Sequence, residues 1–463
     1  MGRPSGGTFV GLDIGTQTIK VVEVRGAGSS LTVTAVGIDN TPPGLVQGGL
    51  IADPKALGAA VKAVLAKAGI KGGRVVSAAA GANAVVVRVI EVPKMTPKEL
   101  SETMKWEVER HIPFAANDVE MSYQAIDDPQ AAADPNNPNM EVLLAVAQRE
   151  MIAGHLQVIQ AAGLKPYIID VEPLAAGRAV IDLDRTGLAG RNAVVVNIGA
   201  SGADVSVFKQ GVLRFPRTIP IAGDNFTRAI ADQLGLTMDQ AEDEKRANAA
   251  VLMEYVGASA DAFGTGDFGT GDPFGTPVDA VPPPFGATPG PFDAPPTPDN
   301  PFATPPAAEN PFATPPPPAD NPFATPPAEN PFATPADVTP SASAAPLAPQ
   351  DPRAARRKEI FDALLPVLSE FTMELRRSVD YFRSRYPAET LDQIILCGGS
   401  ARLPGLDQFV QHDMGIPTVV SNPFNNVAVQ ARQMAPDYLA QTAPAFAVAL
   451  GLAARDAVLG PDK

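Results

Sequence analysis

The sequence predicts an α/β fold built twice over, with a small α+β unit inserted in the first half and a long proline-rich insertion in the second. Three observations carry this expectation. Strand-like and helix-like runs alternate along most of the 463 residues, the pattern of sheets flanked by helices. A strand, a glycine turn and a second strand occur twice, as "TFVGLDIGTQTIKVVEV" at 8–24 and "AVVVNIGASGADVSVF" at 193–208, each leading into a helix-bearing segment. Finally, the composition breaks between Gly257 and Pro352, which hold 27 of the 49 prolines, 11 acidic residues and no Lys or Arg, with Phe almost the only large apolar residue. Such a segment buries too little surface to offset the entropy of ordering it, so disorder is expected over 257–352.

In residues 1–83, "FVGLDIG" and "IKVVEV" flank the first turn and "LTVTAVGI" supplies a third strand. A helix follows in "DPKALGAAVKAVLAKAGI", with Asp53 to cap it, Pro54 in its first turn and Gly69 to stop it. Next come "VVVRVIEVP", a helix over 97–111, "VEMSYQAI", "EVLLAVAQ" and a helix to Ala162. That β-α-β-β-α order is read as the inserted unit, 84–163. The larger fold resumes over 164–190 through "KPYIIDVEPLAAGRAVI". Residues 191–256 carry the second hairpin, a helix from Gly223 to Leu234 and "LTMDQAEDEKRANAAVL". After the insertion, 353–463 supply a long helix to Arg385, then "LDQIILCGGSARLPGLDQFVQHDMGIPTVVS" as strand, turn, helix and strand, then the apolar helix of "APAFAVALGLAARDAV".

The acids of the insertion account for most of the net charge of −15 and leave −4 elsewhere, so no basic footprint points to nucleic acid. The single cysteine, Cys397, excludes an intramolecular disulfide and is expected in the core. With no signal peptide and no run of roughly 18 apolar residues, membrane contact is expected only through a partner. Within the insertion, Asn-Pro-Phe-Ala-Thr-Pro recurs at Asn300, Asn310, Asn321 and Asn330, each after an acid. Two readings stay open: an expanded low-complexity linker, or a multivalent array of Phe-anchored ligands for an unidentified partner.

A hairpin tip rich in Gly, Ser and Thr can aim amides at phosphate oxygens, because glycine allows a tight turn and close approach. In the first turn the donors are Gly15, Thr16 and Gln17, with hydroxyls from Thr16 and Thr18, and Asp13 can hold magnesium through water. "DIG" alone also makes an ordinary turn. Two such hairpins facing each other, however, can clamp a polyphosphate, with the turn "CGGSARLPG" beneath an adenosine. Glu242 and Lys245 either face the ribose or base or form a solvated i,i+3 ion pair.

These three turns, with "VEPLAAG" between the first and second and "APAFAVALGLA" near the end, resemble the five-part signature of the actin-like ATPases. The resemblance implies a duplicated actin-like ATPase fold, ATP and Mg2+ as cofactors, and Glu172 facing the attacking water. It extends the cofactor-binding set to Lys20, Asn197, Gly199, Ala200, Ser201, Gly202, Gly223, Gly398, Gly399 and Ser400. Asn197 stands where such hydrolases usually carry an acid for the metal. That implies ATP binding with slow hydrolysis or none.

"TMKWEVERHIPFAANDVEMSYQAI", "FPRTIPIAGDNFTRAIADQLGLTMDQAEDEK" and "MELRRSVDYFRSRYP" resemble the PilM family of type IV pilus assembly proteins, and the cell-division protein FtsA shares the placement of the inserted unit, called 1C. This resemblance implies a cytoplasmic scaffold at the pilus inner-membrane platform, in contact with its motor proteins, capable of self-association, and bound to the cytoplasmic N-terminal peptide of PilN in a groove beside the inserted unit. The strand "AVVVRVIEV" and the helix around Trp106 are the groove candidates, although Trp106, beside Val108 and Ile112, is expected in the core. Pro113 and Phe114 are expected to close that core, and His111 has no second ligand at metal spacing. An FtsA-like membrane anchor is disfavoured because its basic terminal helix is missing after "ARDAVLGPDK". For an actin-fold small-molecule kinase, neither base nor acceptor pocket can be named.

Overall fold

The computed structural model describes residues 7–26, 30–81, 84–126, 138–256 and 351–460. The insertion and its Asn-Pro-Phe repeats lie outside the described residues, as does the side chain of His111.

In the first half, β1 (Thr8–Ile14), β2 (Thr18–Arg25) and β3 (Thr32–Asn40) form an antiparallel meander. A small hairpin, β4 (Val46–Gln47) and β5 (Leu50–Ile51), and the helix Pro54–Ala68 lead to β6 (Arg74–Ala79), which lies parallel to β1. The inserted unit contributes β7 (Val85–Pro93), the helix Pro97–His111, β8 (Val119–Ala125) and β9 (Asn139–Gln148), in the sheet order β7-β9-β8. The chain then returns through the helix Arg149–Ala161 to β10 (Lys165–Val171), parallel to β6. The second half repeats the plan: β11 (Ala193–Ile198), β12 (Ala203–Lys209) and β13 (Val212–Ile219) meander, and β14 (Gln393–Cys397) and β15 (Thr418–Val420) add in parallel. Counted within each half, both sheets run third, second, first, fourth, fifth. The expected duplication is therefore a duplication of topology. A short β16 (Ala428–Val429) from the C-terminal segment pairs with the edge of β3.

The central strands read as apolar runs because they are covered on both faces. Outside the first sheet lie the helices Pro54–Ala68 and Arg149–Ala161, sharing a core of Val10, Leu12, Leu57, Val61 and Val158. Asp53 caps the former by accepting from the amides of Lys55 and Ala56 at 2.9 and 3.0 Å, and Gly69 ends it at φ +72°. Outside the second sheet the helix Pro352–Arg385 buries Phe361, Leu364, Leu368, Phe371, Leu375 and Phe382 in a shared core with Phe226 and Ile230. Asp351 caps this helix, so the expected end of the insertion moves back from 352 to 350.

Between the sheets run two helical segments of small residues, Glu172–Asp182 and Ala443–Ala453. Their closeness depends on glycine. A Cβ on Gly451 would sit 1.7 Å from the carbonyl oxygen of Ala175, and one on Gly11 of β1 would sit 1.9 Å from that of Ala449. Arg178 donates to the Gly451 carbonyl oxygen at 2.8 Å, fixing the crossing.

The inserted unit closes its own core with Ile90, Val92, Leu100, Met104, Ile112, Val142 and Leu144, against which Phe114 packs while Pro113 is exposed. Pro113 therefore does not close this core as expected, and two further expectations need correction. The helix Arg149–Ala161 belongs to the first-half core rather than to this unit, because Val158 and Ile159 turn onto the Pro54–Ala68 helix. Trp106 is not core but 72% exposed. The buried row of its helix is Leu100 and Met104, and a residue two positions on from Met104 points about 200° away around the axis.

Candidate functional site

The two glycine turns meet tip to tip. Each is closed by its own glycine amide: Gly15 donates to the Thr18 carbonyl oxygen at 3.0 Å and Gly199 to that of Gly202 at 2.9 Å. These amides are thus taken up in building the hairpins, and the expectation that Gly15 is a phosphate donor is corrected on that ground. The tips, Thr16–Gln17 and Ala200–Ser201, approach across the halves, with Thr16 Oγ1 3.3 Å from Ser201 Oγ and Gln17 Nε2 donating to Asp224 Oδ1 at 3.3 Å.

At the foot of the first hairpin, Asp13 and Lys20 are cross-strand partners and form an ion pair at 3.0 Å, both largely buried. The corresponding partners of the second hairpin are Asn197 and Asp204. The second hairpin therefore does have a carboxylate, on its returning strand, where the first has its lysine. Sequence reasoning missed Asp204. The signal was present: aligning "DIGTQTIK" with "NIGASGAD" sets Asp204 opposite Lys20, seven residues after the acid-or-amide position in each hairpin.

Asp204 Oδ1 accepts from Thr218 Oγ1 at 2.7 Å, and its carboxyl is hydrogen bonded to that of Glu172, the first residue of the helix after β10. Desolvation, then the nearby charges of Asp204 and Asp13, hold the Glu172 carboxyl well above the ordinary carboxylate range. Asp204 is raised by desolvation as well, and opposed by its bonds from Thr218 and Glu172. Their mutual hydrogen bond raises Glu172 and opposes the rise of Asp204, so Glu172 is the member of the pair that holds a proton more tightly. Asn197 Oδ1 lies 3.9 Å from the Cys397 sulfur, and that buried thiol is pushed up by desolvation and by the same two acids.

The third turn divides in two. Gly398, at φ +90°, donates its amide to the Pro444 carbonyl oxygen at 2.8 Å, and a Cβ on it would lie 2.4 Å from the Ile198 carbonyl oxygen, so it is a building element rather than a ligand contact. Gly399 is exposed, with open space where a side chain would stand. Ser400 Oγ donates to the Gly199 carbonyl oxygen at 2.7 Å, and a Cβ on Gly223 would lie 2.4 Å from that hydroxyl. Gly223 is thus the residue that lets the second and third turns converge.

Glu242 and Lys245 form their i,i+3 ion pair at 2.6 Å, but not as a solvated pair. Lys245 Nζ also donates to the Gly223 carbonyl oxygen at 3.0 Å and to Thr227 Oγ1 at 2.7 Å, and that hydroxyl lies 2.6 Å from Glu242 Oε2. The bonds from Lys245 and Thr227 outweigh desolvation and hold the Glu242 carboxyl below its ordinary range. The pair braces Met238–Asn248 against the start of the Gly223–Leu234 helix. No cluster of three or more Asp, Glu, His or Cys suited to a metal cage occurs among the described residues. None of the described helices is long and apolar enough to cross a membrane.

Comparison with known proteins agrees with this architecture. A solved structure titled "PilM-PilN type IV pilus biogenesis complex" matches 97% of this chain and 98% of its own, at 26% identity and a TM-score of 0.66. Cell division protein FtsA of Bacillus subtilis is 25% identical over 257 residues, and that of Neisseria meningitidis is 31% identical over 118 residues. The first alignment covers 51% of this chain and 57% of the Bacillus protein, and the second covers 25% and 26%, so the chain spans little more than half of these relatives at most. The profile of a family described as type IV pilus assembly protein PilM matches residues 11–253 and 357–457, skipping the proline-rich insertion. The duplicated actin-like fold, its 1C-type inserted unit and the family profile agree, and the chain belongs to the PilM family of type IV pilus assembly proteins.

Proposed function

We propose that this chain is an ATP-binding scaffold of the type IV pilus inner-membrane platform, which engages the N-terminal cytoplasmic peptide of PilN and turns ATP over slowly. The observation that carries the nucleotide part is the meeting of two glycine turns at 3.3 Å, with Asp13 and Lys20 at the foot of one and Asp204 and Glu172 at the foot of the other. Amides and hydroxyls for phosphate then come from Thr16, Gln17, Ala200 and Ser201, and Gly399 offers open space for the nucleoside.

The donor set fits a magnesium nucleotide. Without a closed protein cage among the described residues, the site suits an ion that keeps its waters and travels with phosphate, with Asp13 and Asp204 as the carboxylates for those waters. Magnesium, when bound, supplies positive charge to the phosphate oxygens. Slow turnover is the reading we draw from Glu172: a carboxyl pushed upward by burial and hydrogen bonded to Asp204 is less available to take a proton from an attacking water. Asn197, an amide, adds no charge to compensate. Exposed Trp106 on the inserted unit is available to a partner, which favours the helix as a peptide contact over its expected core role.

The test is a fluorescent ATP analogue titrated with and without magnesium, alongside anisotropy of a labelled PilN N-terminal peptide and phosphate release from the same sample. Magnesium-dependent binding weakened by Asp13→Ala, saturable peptide binding and slow release are expected. Unchanged affinity in Asp13→Ala would remove the phosphate assignment, and absent peptide binding would remove the pilus scaffold.

A further inference from the structure

A hairpin with two residues at its tip ordinarily closes with two backbone bonds exchanged between the residues that flank the tip. Neither glycine turn closes in this way. Gly15 donates to the Thr18 carbonyl oxygen at 3.0 Å and Gly199 to that of Gly202 at 2.9 Å, but among the described residues neither the Thr18 amide nor the Gly202 amide returns the bond. The glycine carbonyl that would accept it is engaged from outside. Thr41 Oγ1 donates to the Gly15 carbonyl oxygen at 2.7 Å. Ser400 Oγ donates to that of Gly199 at 2.7 Å, joined by the Gly223 amide at 3.2 Å. Each turn is thus held half open by a hydroxyl borne on another segment.

Thr41, the residue after β3, is buried and grips the first turn twice, since its amide also donates to the Gln17 carbonyl oxygen at 3.0 Å. In a trans peptide the C=O and the following N–H point to opposite sides. Holding the Gly15 and Gln17 carbonyls toward Thr41 therefore turns the Thr16 and Thr18 amides away from it. In the second half the corresponding task falls to the start of the helix after β13, where the Gly223 amide meets the Gly199 carbonyl and the Asp224 amide meets that of Ala200 at 2.8 Å. The first half has Pro42 and Pro43 at this place, which have no amide to give, so a side-chain hydroxyl supplies the second donor. Thr41 is itself anchored from the next residues, because Leu45 donates to the Pro42 carbonyl oxygen at 3.3 Å and Leu45 and Val46 pack in the first-half core.

We infer that Thr41 is a positioning residue of the phosphate site: its hydroxyl keeps the Gly15 carbonyl out of the hairpin closure and so presents the Thr16 and Thr18 amides to a polyphosphate without touching it. This rests on the nucleotide reading given above. Without the hydroxyl, the Gly15 carbonyl recovers a partner by turning to the Thr18 amide, which takes one donor from the ligand and rotates the Thr16 amide out of line.

The test uses the full-length chain and its Thr41→Val and Thr41→Ser variants. Val keeps the shape of Thr and the backbone amide at position 41, so only the hydroxyl is lost; Thr41→Ala removes the same donor and takes its place if Thr41→Val does not fold. A fluorescent ATP analogue is titrated with magnesium, tripolyphosphate competes against it, and backbone hydrogen exchange is followed without nucleotide. Thr41→Val is expected to weaken ATP by about tenfold and tripolyphosphate, which lacks the nucleoside, by the same factor. Exchange over residues 16–18 is expected to slow, because the Thr18 amide gains an acceptor, whereas general loosening of the turn would speed it. Thr41→Ser is expected to restore both. Wild-type binding matched by Thr41→Val, faster exchange in Thr41→Val, or no recovery in Thr41→Ser would overturn this inference alone. A wild-type chain that binds neither ATP nor tripolyphosphate would overturn the nucleotide reading, and the inference with it.

Discussion

Replacing Gly451 by Ala tests the packing that holds the two halves at one geometry. The new Cβ would stand 1.7 Å from the Ala175 carbonyl oxygen. A carbon–oxygen contact needs roughly 3.3 Å, so the two helical segments must separate by about 1.6 Å. What has to move is backbone on both sides, which places the cost at the upper end of overpacking, roughly 3 kcal/mol. Ala175 lies one helical turn beyond Glu172, so the same displacement shifts the Glu172 carboxyl relative to Asp204 and loosens the nucleotide cleft. Gly11→Ala acts on the same segment from the other side, with its Cβ 1.9 Å from the Ala449 carbonyl oxygen. The double variant is therefore expected to deviate clearly from additivity. Urea unfolding and fluorescent nucleotide titration of both single variants and the pair provide the measurement. A wild-type unfolding midpoint in Gly451→Ala, or strict additivity in the pair, would refute the reasoning.

Three more outcomes are expected. Phosphate release should rise as pH is raised through the upward-shifted titration of Glu172, because its carboxyl acts as a base only after losing its proton, and Glu172→Gln should flatten that rise; a rise that survives in Glu172→Gln assigns the base elsewhere. His155, buried beside Ser77, is depressed by desolvation to about 4, whereas unfolded it protonates near 6.5. Its folded form binds fewer protons, so stability present above 6.5 is lost as pH falls toward 4: between about pH 7 and pH 5 the protein should lose about 2 kcal/mol more than His155→Leu, and parallel pH profiles would contradict this. Deleting residues 257–350 in favour of a Gly-Ser linker of about ten residues should leave a cooperative transition and raise unfolding free energy by no more than about 2 kcal/mol, the loop-closure saving of roughly three halvings in length; loss of a cooperative transition would show that the insertion carries structure the rest needs.

Much of the fold was legible because the signals were local. Alternating periodicities, the Asp53 cap and the Gly69 stop depend only on neighbouring residues, and the repeated strand-turn-strand carries the duplication within the sequence itself. The tips Thr16–Gln17 and Ala200–Ser201 were legible for the same reason, since hairpin chemistry is written within eight residues. Trp106 was misjudged because helical spacing defines an apolar row, and the choice of which residues belong to that row falls to the sheet beneath.

By itself, then, the sequence determined which segments are strands, helices and glycine turns, that the plan is repeated, and that one proline-rich stretch stands apart from it. Tertiary structure alone decided what each turn's groups are free to do. Gly15, Gly199 and Gly398 spend their amides on the framework, Asp204 joins Glu172 from a strand in the other half, and Glu242 and Lys245 brace a helix start. Hydrogen-bond capacity and proton affinity depend on which groups lie within about 3 Å and on how much water is excluded, and in a duplicated fold those neighbours come from opposite halves of the chain.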